Sequence, residues 1–314
     1  MMAAPGLIDE YVELCDKTFE DIGRKFSDEE LSQLRTVLEG QLAAAFEGSH
    51  RSQIAITYET AAGGLVNYHV KAVWQTVDGA YNNWVATREP PLFGTHPDAR
   101  VTDLTKLATD PAACPVLDIG AGTGRNALAL ARLGHRVDAV EMTAKFADIL
   151  RVEAQKEALD VRVIERDVFA TIDDLRRDYG VIVLSEVATD FRTTEQLRGV
   201  FELATECLAG GGLLVFNAFL CRNGYVPTEG ARQLGQQCYT QIFTVQELRD
   251  AVSGLPLQLI SDDSVYEYEK THLPPEAWPP TKWYADWVSG RDVFRVPREE
   301  SPVELRWLVY QKSW

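Results

Sequence analysis

The stretch VLDIGAGTGRNALALARLGHRVDAVEM, residues 116–142, constrains the fold more than any other part of the chain. An apolar run ends at three closely spaced glycines, Gly120, Gly122 and Gly124, and a helix-like pattern follows until Gly134. That is a strand, a tight turn and a helix in direct succession. The alternation then continues. Residues 136–142, 161–167, 181–187 and 213–220 read as strands, and 143–159 and 193–212 as helices, the second punctuated by glycines at its end. Residues 173–180 suggest one more short helix. Short apolar strands alternating with helices predict an open parallel α/β sheet covered on both faces.

The glycine spacing narrows the ligand. A dinucleotide turn needs G-x-G-x-x-G, but counting from Gly120 places Arg125 where the third glycine belongs. Counting from Gly122 ends on Ala127, which fits only the alternative alanine ending. No Gly-Lys-Ser/Thr follows, so a P-loop is excluded as well.

What remains is Asp118-x-Gly120-x-Gly122-x-Gly124 at a strand-to-helix turn. This resembles motif I of the class I S-adenosylmethionine-dependent methyltransferases. The Gly-Arg-Asn and Leu-Gly-His that follow resemble the small-molecule branch containing the tellurite-resistance methyltransferases. The resemblance implies an α/β, Rossmann-like sheet with helices on both faces, S-adenosylmethionine as cofactor and S-adenosylhomocysteine as product. Glycines let the backbone approach the ligand and adopt positive φ. Asp118 suits the cofactor's ammonium. Glu141, at the end of the second strand, suits its ribose hydroxyls, because a carboxylate only accepts hydrogen bonds. Asp167 fits the family's place for the adenine amino group, with Val168 as an apolar edge. The cofactor-binding set is Asp118, Gly120, Ala121, Gly122, Gly124, Asn126, Glu141, Met142, Asp167, Val168, Ser185 and Tyr81. Asp118, Glu141 and Asp167 lie at the carboxyl ends of strands, where open α/β sheets bind ligands.

Methyl transfer from a sulfonium mainly needs the acceptor positioned and water excluded. A base is required only when the acceptor must lose a proton. Glu186 and His69 are the candidate catalytic groups, with Asp190 and His272 as further candidates. The fourth strand ends Ser185-Glu186-Val187-Ala188 and lacks the Asn/Asp-Pro-Pro element of amino-methylating enzymes that act on nucleic acid or glutamine. Glu186, Trp283 and Trp287 are the candidate acceptor contacts.

The flanks suggest two parts. Residues 1–110 are expected to form a mainly helical N-terminal cover and an aromatic-rich linker. They include helices within 8–47, a capping box at Ser27 and Glu30, and an extended pair around Gly63-Gly64. Pro90, Pro91, Gly94 and Pro97 mark a loop. Residues 111–314 are expected to form the core, with 221–243 and 271–300 as insertions. In that part, 244–255 reads as a helix, 257–270 and 302–312 as strands, and the Trp/Pro-rich 272–294 as a lid.

A net charge of −16 argues against nucleic acid as a partner. No apolar run is long enough to predict a membrane span. No basic-then-apolar start predicts secretion. Five scattered cysteines point to reduced thiols and a cytoplasmic protein, with no metal site. The functional expectation is methylation of a small-molecule acceptor, secondary metabolites included, at an O, N or C atom. The alternatives are methylation of a protein side chain and a non-catalytic, cofactor-binding partner subunit. Monomer and homodimer both stay open.

Overall fold

The computed structural model describes residues 1–60, 66–88 and 91–314, which form two compact units. The expected Gly63-Gly64 turn and Pro90 fall outside the described residues. One unit comprises Met1–Asn83 with Pro227–Tyr239, the other Trp84–Val226 with Thr240–Trp314. The division therefore lies near residue 83, inside helix α3 (Val77–Thr87), and not at the expected 110. Residues 84–110 belong with the sheet, and part of the expected 221–243 insertion belongs with the first unit.

The first unit pairs α1 (Ile8–Asp21) and α2 (Asp28–Gly48) with a hairpin of β1 (Gln53–Thr60) and β2 (Val66–Val73). Ser27 and Glu30 close the capping box that starts α2. Tyr11, Phe19, Leu34, Leu38, Leu42 and Ile54 form its core, and Phe19 stacks on Phe26 with ring centroids 4.8 Å apart. Arg51 draws in the distant segment carrying α8 (Glu229–Gln237). Its guanidinium lies 3.3 Å from the Tyr239 ring centroid and donates to the carbonyls of Gln236 and Gln237.

The second unit is built on eight strands in the order β5-β4-β3-β6-β7-β10-β9, with short β8 (Ile242–Phe243) beside β7. β3 (Val116–Ile119), β4 (Val137–Val140), β5 (Val161–Ile164), β6 (Tyr179–Leu184) and β7 (Leu208–Cys221) run parallel. β10 (Val303–Lys312) is antiparallel to both β7 and β9 (Leu257–Ser264), so the sheet is mixed where the sequence suggested a parallel one. α4 (Ala99–Thr105), α5 (Arg125–Arg132), α6 (Ala144–Lys156), α7 (Thr194–Cys207) and α9 (Val245–Val252) complete the layers, with a separate apolar core on each face of the sheet. The α/β, Rossmann-like expectation is met.

Two expected elements differ. Gly210, Gly211 and Gly212 do not end a helix but lie inside the long strand β7. Residues 257–270 divide into β9 and helix α10 (Val265–His272), because the Ser264 side chain accepts the Glu267 N–H and caps a helix there. The Trp/Pro-rich stretch is also not all loop. It contains the single turns α11 (Tyr284–Trp287) and α12 (Arg291–Phe294).

Gly124 joins β3 to α5 with φ of +96°, and a Cβ there would come within 2.5 Å of Leu150 and 2.8 Å of Leu128. Gly124→Ala therefore combines left-handed strain with overpacking. It is expected to cost about 2–4 kcal/mol in denaturant unfolding.

Candidate functional site

The glycine turn lies at the carboxyl end of β3. Gly120, Gly122 and Gly124 all have positive φ, +68°, +56° and +96°. Val187, beyond β6, lies against Gly120, where a Cβ would come within 2.3 Å of its side chain. Phe93 lies over Gly122 at ordinary contact distance and meets Phe146 edge to face. Ala121 is buried in the core beside them.

Glu141 braces this turn from the end of β4. Its carboxylate accepts the Gly122 N–H at 2.8 Å and the Thr143 N–H at 2.7 Å. Burial pushes its pKa up, and those two N–H groups oppose the shift. Met142 beside it is 49% exposed.

Asp118 is buried within β3. One of its oxygens, Oδ2, has no hydrogen-bond partner among the described residues. Burial first, and then the nearby Asp98 charge, push its carboxyl up from an ordinary 3.8 to about 7, while Arg125 pulls the other way. A buried carboxyl with a free oxygen beside a glycine turn is an acceptor in want of a donor.

The strongest polar contacts centre on Arg125. Its guanidinium grips Asp98 through Nη1 at 2.5 Å and Nη2 at 3.2 Å, and reaches Glu186 at 2.8 Å. All three side chains are nearly buried, 9%, 1% and 14% exposed. Burial works against the Arg125 charge, but Asp98 and Glu186 outweigh it. Burial likewise pushes Glu186 well up, and Arg125 offsets part of that. Asn126 and Ser185, expected on the cofactor, turn to Asp98 instead. Asn126 donates to it at 2.9 Å and Ser185 at 2.6 Å.

Strand register carries the polar row further. Residues alternate faces along a strand. Ser185 follows Leu184, which pairs Phe216, while Asn217 pairs Trp307. Glu186 itself has φ of +62°, and Asn217 Oδ1 holds its N–H at 2.7 Å. A left-handed non-glycine residue persists only where its surroundings hold it, and here the Asn217 side chain does so. Trp307 donates its indole N–H to Glu269, which also accepts the N–H groups of Ala99 and Arg100.

The other expected residues fall as follows. Asp167 is exposed and caps its own chain, accepting the Phe169 N–H at 2.8 Å, with Val168 buried behind it. Trp287 is 4% exposed and packs on Phe219, so it is core and not an open acceptor wall. Trp283 is partly buried, with its ring 6.5 Å from that of Trp84. His69 is an exposed residue of β2, and the Tyr81 ring faces Tyr239 at 6.2 Å; both belong to the first unit. His272 is exposed and stacks on Tyr268. Asp98, Asn217 and Glu269 were not anticipated, and Arg125 was read only as a departure from a glycine pattern and as part of the Gly-Arg-Asn stretch. The spacing of Asp98 to Arg125 carries no periodic signal, so no sequence pattern pointed to that pair. Among the described residues no group of three or more His, Cys, Asp or Glu is placed to hold a metal ion, and no helix is long and apolar enough to cross a membrane.

Two predictions follow from this geometry. Arg125→Met leaves Asp98 and Glu186 buried without their cation. It is expected to cost about 3–5 kcal/mol by chemical denaturation, with Arg125→Lys in between. Asp118 has a raised folded pKa, so its contribution to stability is full below 3.8 and is lost as the pH climbs through about 7. Melting temperature should therefore fall less steeply across that window in Asp118→Asn than in the wild type.

Residues 116–212 match the family model described as a methyltransferase domain. No curated sequence relative matches. Among solved structures, the chain is similar to the [4+2]-cyclase SpnF, with 16% identity, a TM-score of 0.51 and 68% of this chain on 81% of that one. It is similar to a protein described as a putative sarcosine dimethylglycine methyltransferase from Galdieria sulphuraria, with 14% identity, a TM-score of 0.51 and coverage of 75% and 98%. It is also similar to the O-methyltransferase of a trans-AT PKS multienzyme from Brevibacillus brevis, solved with S-adenosyl-L-homocysteine, with 17% identity, a TM-score of 0.50 and coverage of 69% and 72%. The expectation of S-adenosylmethionine as cofactor stands with the domain match. The second unit thus has the fold of these Rossmann-like neighbours, and residues 116–212 within it are similar to a methyltransferase domain.

Proposed function

We propose that the chain is an S-adenosylmethionine-dependent methyltransferase that acts on a small molecule, in the manner of the branch its Gly-Arg-Asn motif resembles. The observation that carries the reading is the partnerless Asp118 oxygen beside three left-handed glycines, with Glu141 on the neighbouring strand end. The residues fit the cofactor. Asp118 would take its ammonium, the glycine turn would allow close backbone approach, and Glu141 has lone pairs left for ribose hydroxyls. The cofactor supplies a methyl group already activated on a sulfonium.

The chain's own residues would then position the acceptor and manage its proton. Glu186 lies just past β6, its backbone pinned by Asn217 and its carboxylate steadied by Arg125. A carboxyl raised by burial is a better base near neutral pH than an exposed one. Asp98, with Ser185 and Asn126 on it, keeps Arg125 in place, and its own charge also helps push the Glu186 carboxyl up.

A second reading has one observation in its favour. A fold neighbour is named as a [4+2]-cyclase, so this architecture houses reactions other than the one its domain match suggests. A cofactor-binding protein with another activity, or a partner subunit, is that alternative.

Calorimetry with S-adenosylhomocysteine tests the cofactor site. Wild type should bind, Asp118→Ala should weaken binding by about tenfold or more, and Gly122→Val should abolish it. Undiminished binding by either variant would sink the reading. Incubation with methyl-labelled cofactor and a cell extract should then place label in small molecules, whereas label in protein alone would shift the acceptor class.

A further inference from the structure

Asn217 is a polar residue in an apolar place. It lies wholly buried in β7 between Phe216 and Ala218 and across from Trp307, all of them buried too. An amide in such a row must find hydrogen bonds or bear the cost of desolvation. Its Nδ2 has no partner among the described residues. The side chain's one hydrogen bond among them is at Oδ1, which accepts the Glu186 N–H at 2.7 Å. Strand pairing makes no use of that side chain, so the reason for an asparagine here lies at residue 186.

What the bond holds is a conformation. Glu186 has φ of +62°, where a residue with a Cβ is strained and a glycine is not. Before it, Ser185 is tied to Asp98 at 2.6 Å; after it, the Thr189 hydroxyl donates to the Glu186 carbonyl at 3.0 Å. The φ of residue 186 therefore sets the direction in which the chain leaves β6. Two contacts depend on that direction. The Glu186 carboxylate meets Arg125 at 2.8 Å. The next residue, Val187, lays its Cγ2 methyl against Gly120, so closely that a Cβ at 120 would come within 2.3 Å of it. Gly120 also donates its N–H to the Val140 carbonyl at 2.8 Å. The first glycine of the turn is thus held by the last residue of β4 and by the residue after Glu186.

We propose that Asn217 is a positioning residue that couples the two sides of the site. By keeping Glu186 left-handed, it seats the Glu186 carboxylate on Arg125 and Val187 on the cofactor turn. This rests on the cofactor reading above. Without the Asn217 oxygen, Glu186 relaxes toward negative φ and Val187 leaves Gly120.

The test is a double-mutant cycle read by calorimetry with S-adenosylhomocysteine. Asn217→Leu removes the acceptor at similar size. Glu186→Gly removes the strain, since glycine adopts the left-handed conformation unaided. Asn217→Leu should weaken binding by about tenfold in the wild-type background and by less than about twofold in the Glu186→Gly background. A role in packing alone would give the same loss in both, and that result overturns the proposal, as does full affinity of Asn217→Leu. Val187→Ala trims a half-buried loop residue and leaves β7 untouched, so it keeps the question decidable if Asn217→Leu does not fold. It should weaken binding by about threefold or more, and unchanged affinity overturns the coupling. Failure of the wild type itself to bind S-adenosylhomocysteine refutes the cofactor reading, and the coupling falls with it.

Discussion

The Arg125 guanidinium is the contact on which the second unit's ligand end depends. It joins three parts of the chain that share no local order: the residue before α4, the first turn of α5 and the second residue after β6. A buried cation is tolerated only when paired and hydrogen-bonded. Asp98 meets that requirement with two contacts and in turn collects Ser185 and Asn126. The result is a rigid polar knot behind the strand ends. Its second carboxylate, Glu186, faces what lies beyond.

Around that knot the protein keeps two kinds of polar group. Some are paired internally and hold the shape: Glu141 on the glycine turn and Glu269 on the start of α4. Others are buried and open. Asp118 Oδ2 and the Tyr284 hydroxyl are of this kind. A folded protein seldom leaves such atoms unpaired without a use, because each costs the full desolvation of a polar group. The open atoms therefore outline the chemistry better than the satisfied ones do.

Much of the fold was legible in the residues. The alternation from β3 to β7 follows directly from apolar runs bounded by glycines and caps, and the Ser27 capping box appears where its spacing placed it. The departures have local causes. Ser264 with Glu267 is a helix cap inside what looked like one long strand, and β7 absorbs three glycines that looked like a helix end. The unit boundary was not legible, because Arg51 draws residues 227–239 to the first unit through contacts more than 180 positions apart.

The sequence by itself determined the ligand turn. Three glycines needing positive φ, with Asp118 before them and Glu141 at the next strand end, are local demands of the backbone and appear as spacing. Only the tertiary structure decided what the remaining polar residues do. Asn126 and Ser185 face Asp98, and Trp287 is core, because which side chains meet across a sheet depends on register and strand order. Those quantities are set by the burial of whole faces at once, and no short stretch of residues carries them.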